Sequence, residues 1–455
     1  MEKKNTWETY SSKQLKELEK INAQYRDFLD NGKTERECID TIVNTIEKSG
    51  YRELESLIKE GTALKTGDKV YSVWMNKSIA MFQIGRKPMT DGMNILGAHI
   101  DSPRLDVKQN PLYEDGGFAY LDTHYYGGVK KYQWVTIPLA IHGVIVKKDG
   151  TCVEINIGEN EDDPVFFVSD LLIHLAQEQL EKKAAKVIEG EALDIIVGNK
   201  PLLIDKKDKK KDEKEAGKEA VKAGVLDILK ETYDIHEEDF VSAELEIVPA
   251  GKAREAGFDR SMILAYGQDD RVCAYTSMQA MLDSDVTDRT MCCILVDKEE
   301  IGSVGATGMQ SHFFENAVAE VMNLTGEYSE LHVRRCLAHS CMLSSDVSSA
   351  FDPTYASSFD KKNVAYLGGG MVINKFTGAR GKSGSNDANA EYLAHLRHIF
   401  DKAEVNFQTA ELGKVDLGGG GTIAYILALY GMNVIDSGVA VLNMHAPWEA
   451  TSKAD

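Results

Sequence analysis

The sequence lacks the features that mark membrane, secreted and nucleic-acid-binding proteins. It contains no run of about 18 apolar residues, so no membrane-spanning helix is expected. The N-terminal segment MEKKNTWETYSSKQLKELEKI is charged and has no apolar core, so no signal peptide is expected. Basic residues number 52 against 72 acidic ones, and the net charge of -20 argues against nucleic acid and membrane surfaces as partners.

Cysteine is scarce, and its spacing does not indicate a disulfide framework. The seven cysteines are odd in number and form no C-x-x-C pair, and Cys292 and Cys293 are adjacent within an apolar run. This pattern is typical of buried thiols in a reducing compartment. We therefore expect a cytoplasmic protein.

Strand-like and helix-like segments alternate along much of the chain, which predicts an α/β fold. RTMCCILVDKEE contains a near-continuous apolar run, as in a strand that is buried on both faces. We predict one catalytic α/β domain of residues 1–106 and 255–455, with a mixed central sheet flanked by helices. A mostly β domain, residues 107–254, interrupts it. Its charged, low-complexity stretch near 205–222 predicts a flexible loop, and the interleaved acids argue against nucleic acid there.

Metal-ligand side chains stand at the edges of separate strand-like runs. Residues at strand ends can meet at one edge of a sheet, even when they are far apart in sequence. Histidines and carboxylates together suit zinc or a similar divalent ion, and one shared carboxylate suits two ions. The candidates are His99, Asp269, Glu299, Glu300, Asp346 and His445, with Asp101 as a partner that orients the ring of His99.

Each candidate alone also has a plainer explanation. Asp269 could cap a helix, and His445 could be an ordinary loop histidine. Glu299 and Glu300 follow an apolar strand, and adjacent strand residues face opposite ways. One glutamate could then bind metal while the other acts as a general base for water.

A glycine run, Gly418–Gly421, precedes a predicted helix and would let a ligand approach the backbone, with Gly419 as a candidate contact. The run lacks GK[ST], so it is not a Walker loop, and the chain has no G-x-S-x-G nucleophile elbow. Arg380 and Lys382 in GARGKSGSN are candidates for binding a charged substrate group, or they are plain surface cations.

The candidate residues lie in seven segments, which are GAHIDSPRLDVK, DDR, DKEEIGSVGATG, SSDVSSAFDP, ARGKSGSNDA, DLGGGGTIAYILA and NMHAPWE. Together these segments resemble the aspartyl aminopeptidase family of dinuclear zinc exopeptidases. The resemblance implies a peptidase that releases the N-terminal amino acid of peptides, a zinc exopeptidase-like fold and an inserted dimerisation domain. It also implies two zinc ions per subunit, which cobalt or manganese could replace, and a tetrahedral homododecamer built from dimers.

The same resemblance assigns the metal ligands. It places His99 and Asp346 on one metal ion and Glu300 and His445 on the other, with Asp269 as the bridge.

It further implies that Glu299 is the general base and that Asp101 supports His99. It implies a cis peptide bond between Asp269 and Asp270. The segment LLIHLAQ, in a predicted helix opened by Asp170, is similar to the family segment whose histidine reaches a neighbouring active site, which indicates His174.

Some questions stay open at this point. The N-terminal residue that is released could be acidic or neutral, because the sequence around Arg380 and Lys382 differs from that of acid-specific members. A related dinuclear-metal deacylase or carboxypeptidase is the alternative reaction, and a non-catalytic scaffold is a third possibility. The family also leads us to expect a further helix beyond His445, and apolar surface left uncovered where the chain ends at Asp455.

Overall fold

The computed structural model describes residues 5–202 and 219–455. The α-helices in these residues are α1 (Ser12–Asn31), α2 (Glu35–Glu47), α3 (Leu54–Glu60), α4 (Gln177–Leu180), α5 (Ala184–Val187), α6 (Ala220–Tyr233), α7 (Gln268–Asp283), α8 (Phe313–Leu324), α9 (Glu330–His339), α10 (Ala390–Lys402) and α11 (Ala424–Ala428). The β-strands are β1 (Arg52–Glu53), β2 (Lys69–Trp74), β3 (Ser78–Gln83), β4 (Asn94–His99), β5 (Arg104–Asp115), β6 (Phe118–Tyr126), β7 (Leu139–Val146), β8 (Cys152–Ile157), β9 (Ile195–Gly198), β10 (Ala243–Pro249), β11 (Arg254–Ala256), β12 (Met262–Ala265), β13 (Met291–Val296), β14 (Cys341–Ser345), β15 (Ser348–Ser349), β16 (Met371–Asn374), β17 (Phe407–Thr409), β18 (Asn433–Gly438), β19 (Ala440–Leu442) and β20 (Glu449–Ser452).

The chain divides into two compact units. The first contains the residues up to Ser102, then Ala253–Met444 and Trp448–Asp455. The second contains Pro103–Lys252 and the short segment His445–Pro447. The predicted role of residues 107–254 as an inserted dimerisation domain remains a prediction.

The first unit contains a nine-stranded mixed sheet, in the order β1-β2-β3-β13-β4-β14-β18-β16-β17. Strand β4 pairs in parallel with both β13 and β14, and β14 pairs in parallel with β18. The carboxyl ends of these strands therefore lie at one edge of the sheet. The predicted α/β class, with a mixed sheet flanked by helices, is confirmed.

Strand β13 shows why this sheet forms at the centre of the unit. All of its residues, Met291–Val296, are buried. Cys292 and Ile294 pack into one apolar cluster with α8 and α9, while Cys293 and Leu295 pack into another with α1, α2 and α7. Alternate residues of a strand point to opposite faces, so an unbroken apolar run is what a strand covered on both faces requires.

Helices α1 and α2, near the start of the chain, have defined starts. Ser11 and Gln14 form a capping box at the start of α1, and Thr34 and Glu37 form one at the start of α2. These pairs satisfy backbone N–H groups that have no acceptor within the helix.

A second sheet of the first unit has the order β11-β12-β20-β19-β15. Its strand β20 pairs antiparallel with β12, so that Glu449 stands opposite Ala265, three residues before the start of α7. This pairing carries the end of the chain back to the segment that contains Asp269.

The second unit contains a six-stranded antiparallel sheet in the order β8-β7-β10-β5-β6-β9. Strands β7 and β8 form an antiparallel hairpin. Helix α6 contacts β5, β6 and β9. Most of the loop predicted near 205–222 lies outside the described residues, but its last three residues, 220–222, form the first turn of α6 instead. The carboxylate of Glu114 accepts the backbone N–H groups of Val221 and Lys222 and stabilises that turn.

In the part of the chain that the structure describes, no helix has both the length and the apolar character needed to span a membrane. All seven cysteines are free thiols, and five of them are buried.

Candidate metal centre

His99 is the last residue of β4 and lies at the centre of a cluster of acids. The residue is buried. Its Nε2 atom lies 3.3 Å from Oδ1 of Asp269, 3.9 Å from Oε2 of Glu299 and 3.9 Å from Oδ1 of Asp346. The Nδ1 atom donates to the backbone carbonyl of Asp101 at 3.0 Å, so Nε2 is the ring atom that faces the acids and can bind a metal ion.

The structure brings five predicted residues of the first unit together. His99, Asp269 and Asp346 form one group whose ligand atoms all lie within 4.8 Å of one another, and His99, Glu299 and Glu300 form another. Strand β4 ends at His99, β14 ends one residue before Asp346, and β13 ends three residues before Glu299. The parallel strands therefore deliver these side chains to one edge, as predicted.

Asp101 connects the histidine to the two glutamates. Its carboxylate is fully buried and accepts the backbone N–H of Glu299 through Oδ1 and that of Glu300 through Oδ2, each at 3.1 Å. The same Oδ1 lies 3.2 Å from Nδ1 of His99. One carboxylate thus fixes both the ring and the backbone that carries the glutamates.

The two glutamates do not continue the strand, so the predicted alternation of their side chains does not apply. They lie in a 3-10 turn, Glu299–Ile301, which follows Lys298 in a left-handed conformation at φ 67°. Because a turn does not impose the two-residue period of a strand, both carboxylates can face His99. The distinction between ligand and base must therefore come from position rather than from strand faces.

Asp269 lies at the start of α7, where the backbone is irregular. Asp269 and Asp270 have non-helical dihedral angles, and the peptide bond between them is cis, as the resemblance implied. The hydroxyl of Ser102 donates to the Asp269 carbonyl at 2.7 Å.

Burial and crowding shape the electrostatics of this cluster. Burial raises the pKa of the Asp346 carboxyl well above its ordinary value, and the nearby charge of Asp270 adds to the rise. Burial likewise raises the pKa of Asp270. Burial opposes protonation of His99, but its hydrogen bonds with Asp101 and Asp269 outweigh that effect and raise its pKa. So much buried negative charge favours a cation at this place.

The donors fit a divalent ion of the zinc type. An imidazole nitrogen and several carboxylate oxygens within a few ångströms of one another are the ligands that zinc takes in catalytic sites. This chemistry matches the prediction made from the sequence.

His445 belongs to the short segment grouped with the second unit. It has a left-handed backbone with φ 65°, and its Nδ1 donates to the carbonyl of Gly128 at 3.0 Å. That bond again leaves the lone pair on Nε2.

His174 lies on the surface of the second unit, but not in the helix predicted from Asp170. It sits in a 3-10 turn, Ile173–Leu175, followed by the single turn of α4. The Asp170 carboxylate accepts N–H groups from Leu171 and from the Gln179 side chain, so it closes a turn instead of capping a long helix. Most of the apolar side chains beside His174 are exposed, including Ile173 at 67%.

The predicted substrate-binding residues line one cavity of the first unit, of about 300 Å³. Lys382 is paired with Asp387 at 2.9 Å and lies over the ring of Phe376 at 4.0 Å. Arg380 and Gly419 complete this lining. Gly419 has φ 110°, and a Cβ there would lie 2.4 Å from Cα of Ala379, so the chain requires glycine at that position.

Three residues that were not predicted from the sequence hold the backbone of the cluster. Ser102 and Glu449 contact the backbone of Asp269, and Asp270 accepts the backbone N–H of His99 at 3.4 Å. Glu449 ends the segment NMHAPWE but stands 180 residues from Asp269, so only the pairing of β20 with β12 reveals that the two residues meet.

Comparisons with known proteins identify the family. The family model described as "Aminopeptidase I zinc metalloprotease (M18)" matches residues 28–455. A Clostridium acetobutylicum protein described as a probable M18 family aminopeptidase 1 is 63% identical over 454 residues, which cover 100% of this chain and 96% of that protein.

Solved structures show the same fold. The crystal structure of aminopeptidase I from Clostridium acetobutylicum has a TM-score of 0.90 at 60% identity, and covers 100% of this chain and 96% of its own. An M18 aminopeptidase from Thermotoga maritima has a TM-score of 0.93 at 44% identity, with the same coverage. The yeast mApe1 dodecamer, at 20% identity and a TM-score of 0.74, covers 96% of this chain and 93% of its own, and is similar in fold alone.

Proposed function

Because this chain belongs to the M18 family of aminopeptidase I zinc metalloproteases, and is therefore a zinc-dependent aminopeptidase, we propose how its own residues divide the reaction. The observation that carries the proposal is the convergence of His99, Asp269, Glu299, Glu300 and Asp346 at one edge of the central sheet.

The proposed centre holds two zinc ions that share Asp269. His99 and Asp346 would hold one ion, and Glu300 and His445 the other. Each ion would then have three protein ligands, the number that catalytic zinc sites use. Nδ1 of His445 donates to the carbonyl of Gly128, so its Nε2 carries the lone pair that a metal ligand needs. Cobalt or manganese would suit the same donors.

When bound, zinc supplies Lewis acidity, which polarises the carbonyl of the first peptide bond and makes water more acidic. The chain's own part is to position these donors and to move the proton. Glu299 is the general base in this proposal. Its carboxylate takes a proton from the attacking water and delivers it to the nitrogen of the leaving peptide, where the broken bond needs it.

The position of Glu299 supports this role. Its backbone is fixed by Asp101, and its side chain is 14% exposed, against 2% for His99, so a substrate can reach the carboxylate. Glu300, held by the other oxygen of Asp101, is left as the ligand.

The substitution Glu299→Gln tests the assignment. It keeps the size of the side chain but removes the carboxylate that accepts the proton. We expect turnover of aminoacyl reporter substrates to fall by at least about 100-fold, with bound zinc unchanged by mass spectrometry. Turnover within a few-fold of the parent enzyme would remove Glu299 from the role of base.

We further propose that Arg380, Lys382 and Gly419 line the site for the N-terminal residue of the substrate, which is acidic or neutral. Lys382 already pairs with Asp387, so an acidic substrate side chain would have to share that ammonium group. This pairing supports a preference that is not confined to acidic residues.

The proposed assembly is a homododecamer of tetrahedral form, built from dimers through the second unit, in the cytoplasm. Its support is the exposed apolar segment around His174 and the dodecamer formed by the yeast relative. In this assembly His174 would enter the active site of a neighbouring subunit and donate a hydrogen bond to the developing oxyanion.

A further inference from the structure

The carboxylate of Glu449 holds the backbone of Asp269. Glu449 is the first residue of β20 and is 1% exposed. Its Oε2 accepts the backbone N–H of Asp269 at 3.0 Å. An N–H in the first turn of a helix has no acceptor within that helix, so this donor needs an outside partner.

The residue before Asp269 is held by the same strand. The side-chain amide of Gln268 donates to the backbone carbonyl of Glu449 at 2.6 Å and to that of Ile263 at 3.1 Å. Its oxygen accepts the hydroxyls of Thr451 at 2.6 Å and Tyr25 at 3.3 Å. Strand β20 therefore fixes Gln268 at both ends of its amide.

These contacts restrict the Asp269 backbone from two directions. Glu449 holds its N–H, and Ser102 holds its carbonyl. With the backbone held, the side chain keeps the direction that brings Oδ1 to 3.3 Å from Nε2 of His99. If Asp269 is the shared ligand, as proposed, its carboxylate would need such a fixed direction.

We propose that Glu449 is a positioning residue that fixes the direction of the Asp269 carboxylate. Through Asp269 it sets the affinity for the more weakly bound of the two zinc ions. This inference rests on the proposed function, in which Asp269 is the bridge. Partners that orient metal ligands typically contribute 10- to 100-fold in metal affinity.

A series at position 449 tests the proposal. Glu449→Met keeps the length of the side chain but removes the oxygen that accepts the Asp269 N–H. We expect the more weakly bound zinc ion to bind about 10- to 100-fold less tightly, measured by competition with a chromogenic chelator. Glu449→Gln keeps an oxygen that can accept the Asp269 N–H, and we expect it to restore affinity to within a few-fold. Glu449→Asp shortens the reach and should fall between them, so a poorly folded methionine variant does not end the test.

Glu255 supplies the matched control. It lies in β11 of the same sheet and pairs with Lys453 and Arg260, without contact to Asp269. Glu255→Met should lower thermal stability but leave zinc affinity unchanged. Equal losses of zinc affinity in Glu255→Met and Glu449→Met would overturn the proposal, because they would show a purely structural role.

Asp269→Asn separates this inference from the proposed function. If Asp269→Asn loses zinc while Glu449→Met binds zinc like the parent enzyme, Asp269 is supported as the shared ligand and the role of Glu449 is wrong. If Asp269→Asn binds two zinc ions with unchanged affinity, the bridge itself is wrong, and the role of Glu449 falls with it.

Discussion

The carboxylate of Asp101 accepts the backbone N–H of Glu299 at 3.1 Å, although 198 residues separate the two. The same oxygen lies 3.2 Å from Nδ1 of His99. A single buried group therefore sets the distance between the end of β4 and the turn that follows β13, and with it the distance between a proposed ligand and the proposed base.

Asp101→Asn tests this link. The amide can accept one of the two backbone N–H groups, but its NH2 group would face the other donor. We expect zinc affinity to fall about 10- to 100-fold and kcat/KM to fall with it, measured by chelator competition and a reporter peptide. Asp288→Asn, which alters exposed ion pairs with Arg86 and Lys87, should change neither quantity. Unchanged zinc affinity in Asp101→Asn would contradict the link.

Mixed oligomers test whether His174 acts in a neighbouring subunit. His174→Ala and Glu299→Gln should each be nearly inactive alone, with the histidine variant reduced about 100- to 1000-fold in kcat. Co-expression of the two chains should restore part of the activity, because some sites then combine an intact His174 with an intact Glu299. No recovery in purified mixed oligomers would place His174 outside the neighbour's site.

The pair of Lys382 and Asp387 predicts how substrate preference can be changed. Asp387→Asn would release the ammonium group of Lys382 for an acidic N-terminal residue. We expect kcat/KM for aspartyl and glutamyl substrates to rise about tenfold relative to leucyl and alanyl substrates, which corresponds to about 1.4 kcal/mol. The exposed Asp401→Asn is the control. An unchanged ratio would mean that Lys382 does not contact the N-terminal side chain.

Asp436 predicts a dependence of stability on pH. Burial raises its pKa from 3.8 to about 7, although the Thr422 hydroxyl opposes the rise. Between these values the folded state binds more protons than the unfolded state, so its stability falls as pH rises from about 4 to about 7.

Asp436→Asn should remove that loss. Its gain in the free energy of unfolding should be small near pH 4 and on the order of 2–4 kcal/mol above pH 7, since one pKa unit corresponds to about 1.4 kcal/mol. Urea denaturation at pH 5 and pH 8 measures the difference. A gain that is the same at both pH values would contradict the assignment.

Much of the fold and the cluster follows from local patterns. The apolar run of β13 predicted a strand covered on both faces, and the structure places Cys292 and Cys293 in clusters on opposite faces. The position of His99 and Asp346 at strand ends predicted that they would meet, because parallel strands end at one edge.

Contacts between distant segments could not be predicted in this way. Glu299 and Glu300 leave the strand for a turn that Asp101 stabilises, and no sequence period encodes that turn. His174 was expected in a long helix, but local hydrogen bonds of Asp170 favour a tight turn. The Glu449 carboxylate reaches the Asp269 N–H because β20 pairs with β12, and a single sequence does not reveal that pairing.

The central claim is a centre of two zinc ions bridged by Asp269, and the zinc content of the purified enzyme tests it most directly. Mass spectrometry of the metal-replete protein should find two zinc ions per chain, and Asp269→Asn should lose at least one of them. One zinc ion per chain in the parent enzyme, or two tightly bound ions in Asp269→Asn, would contradict the account.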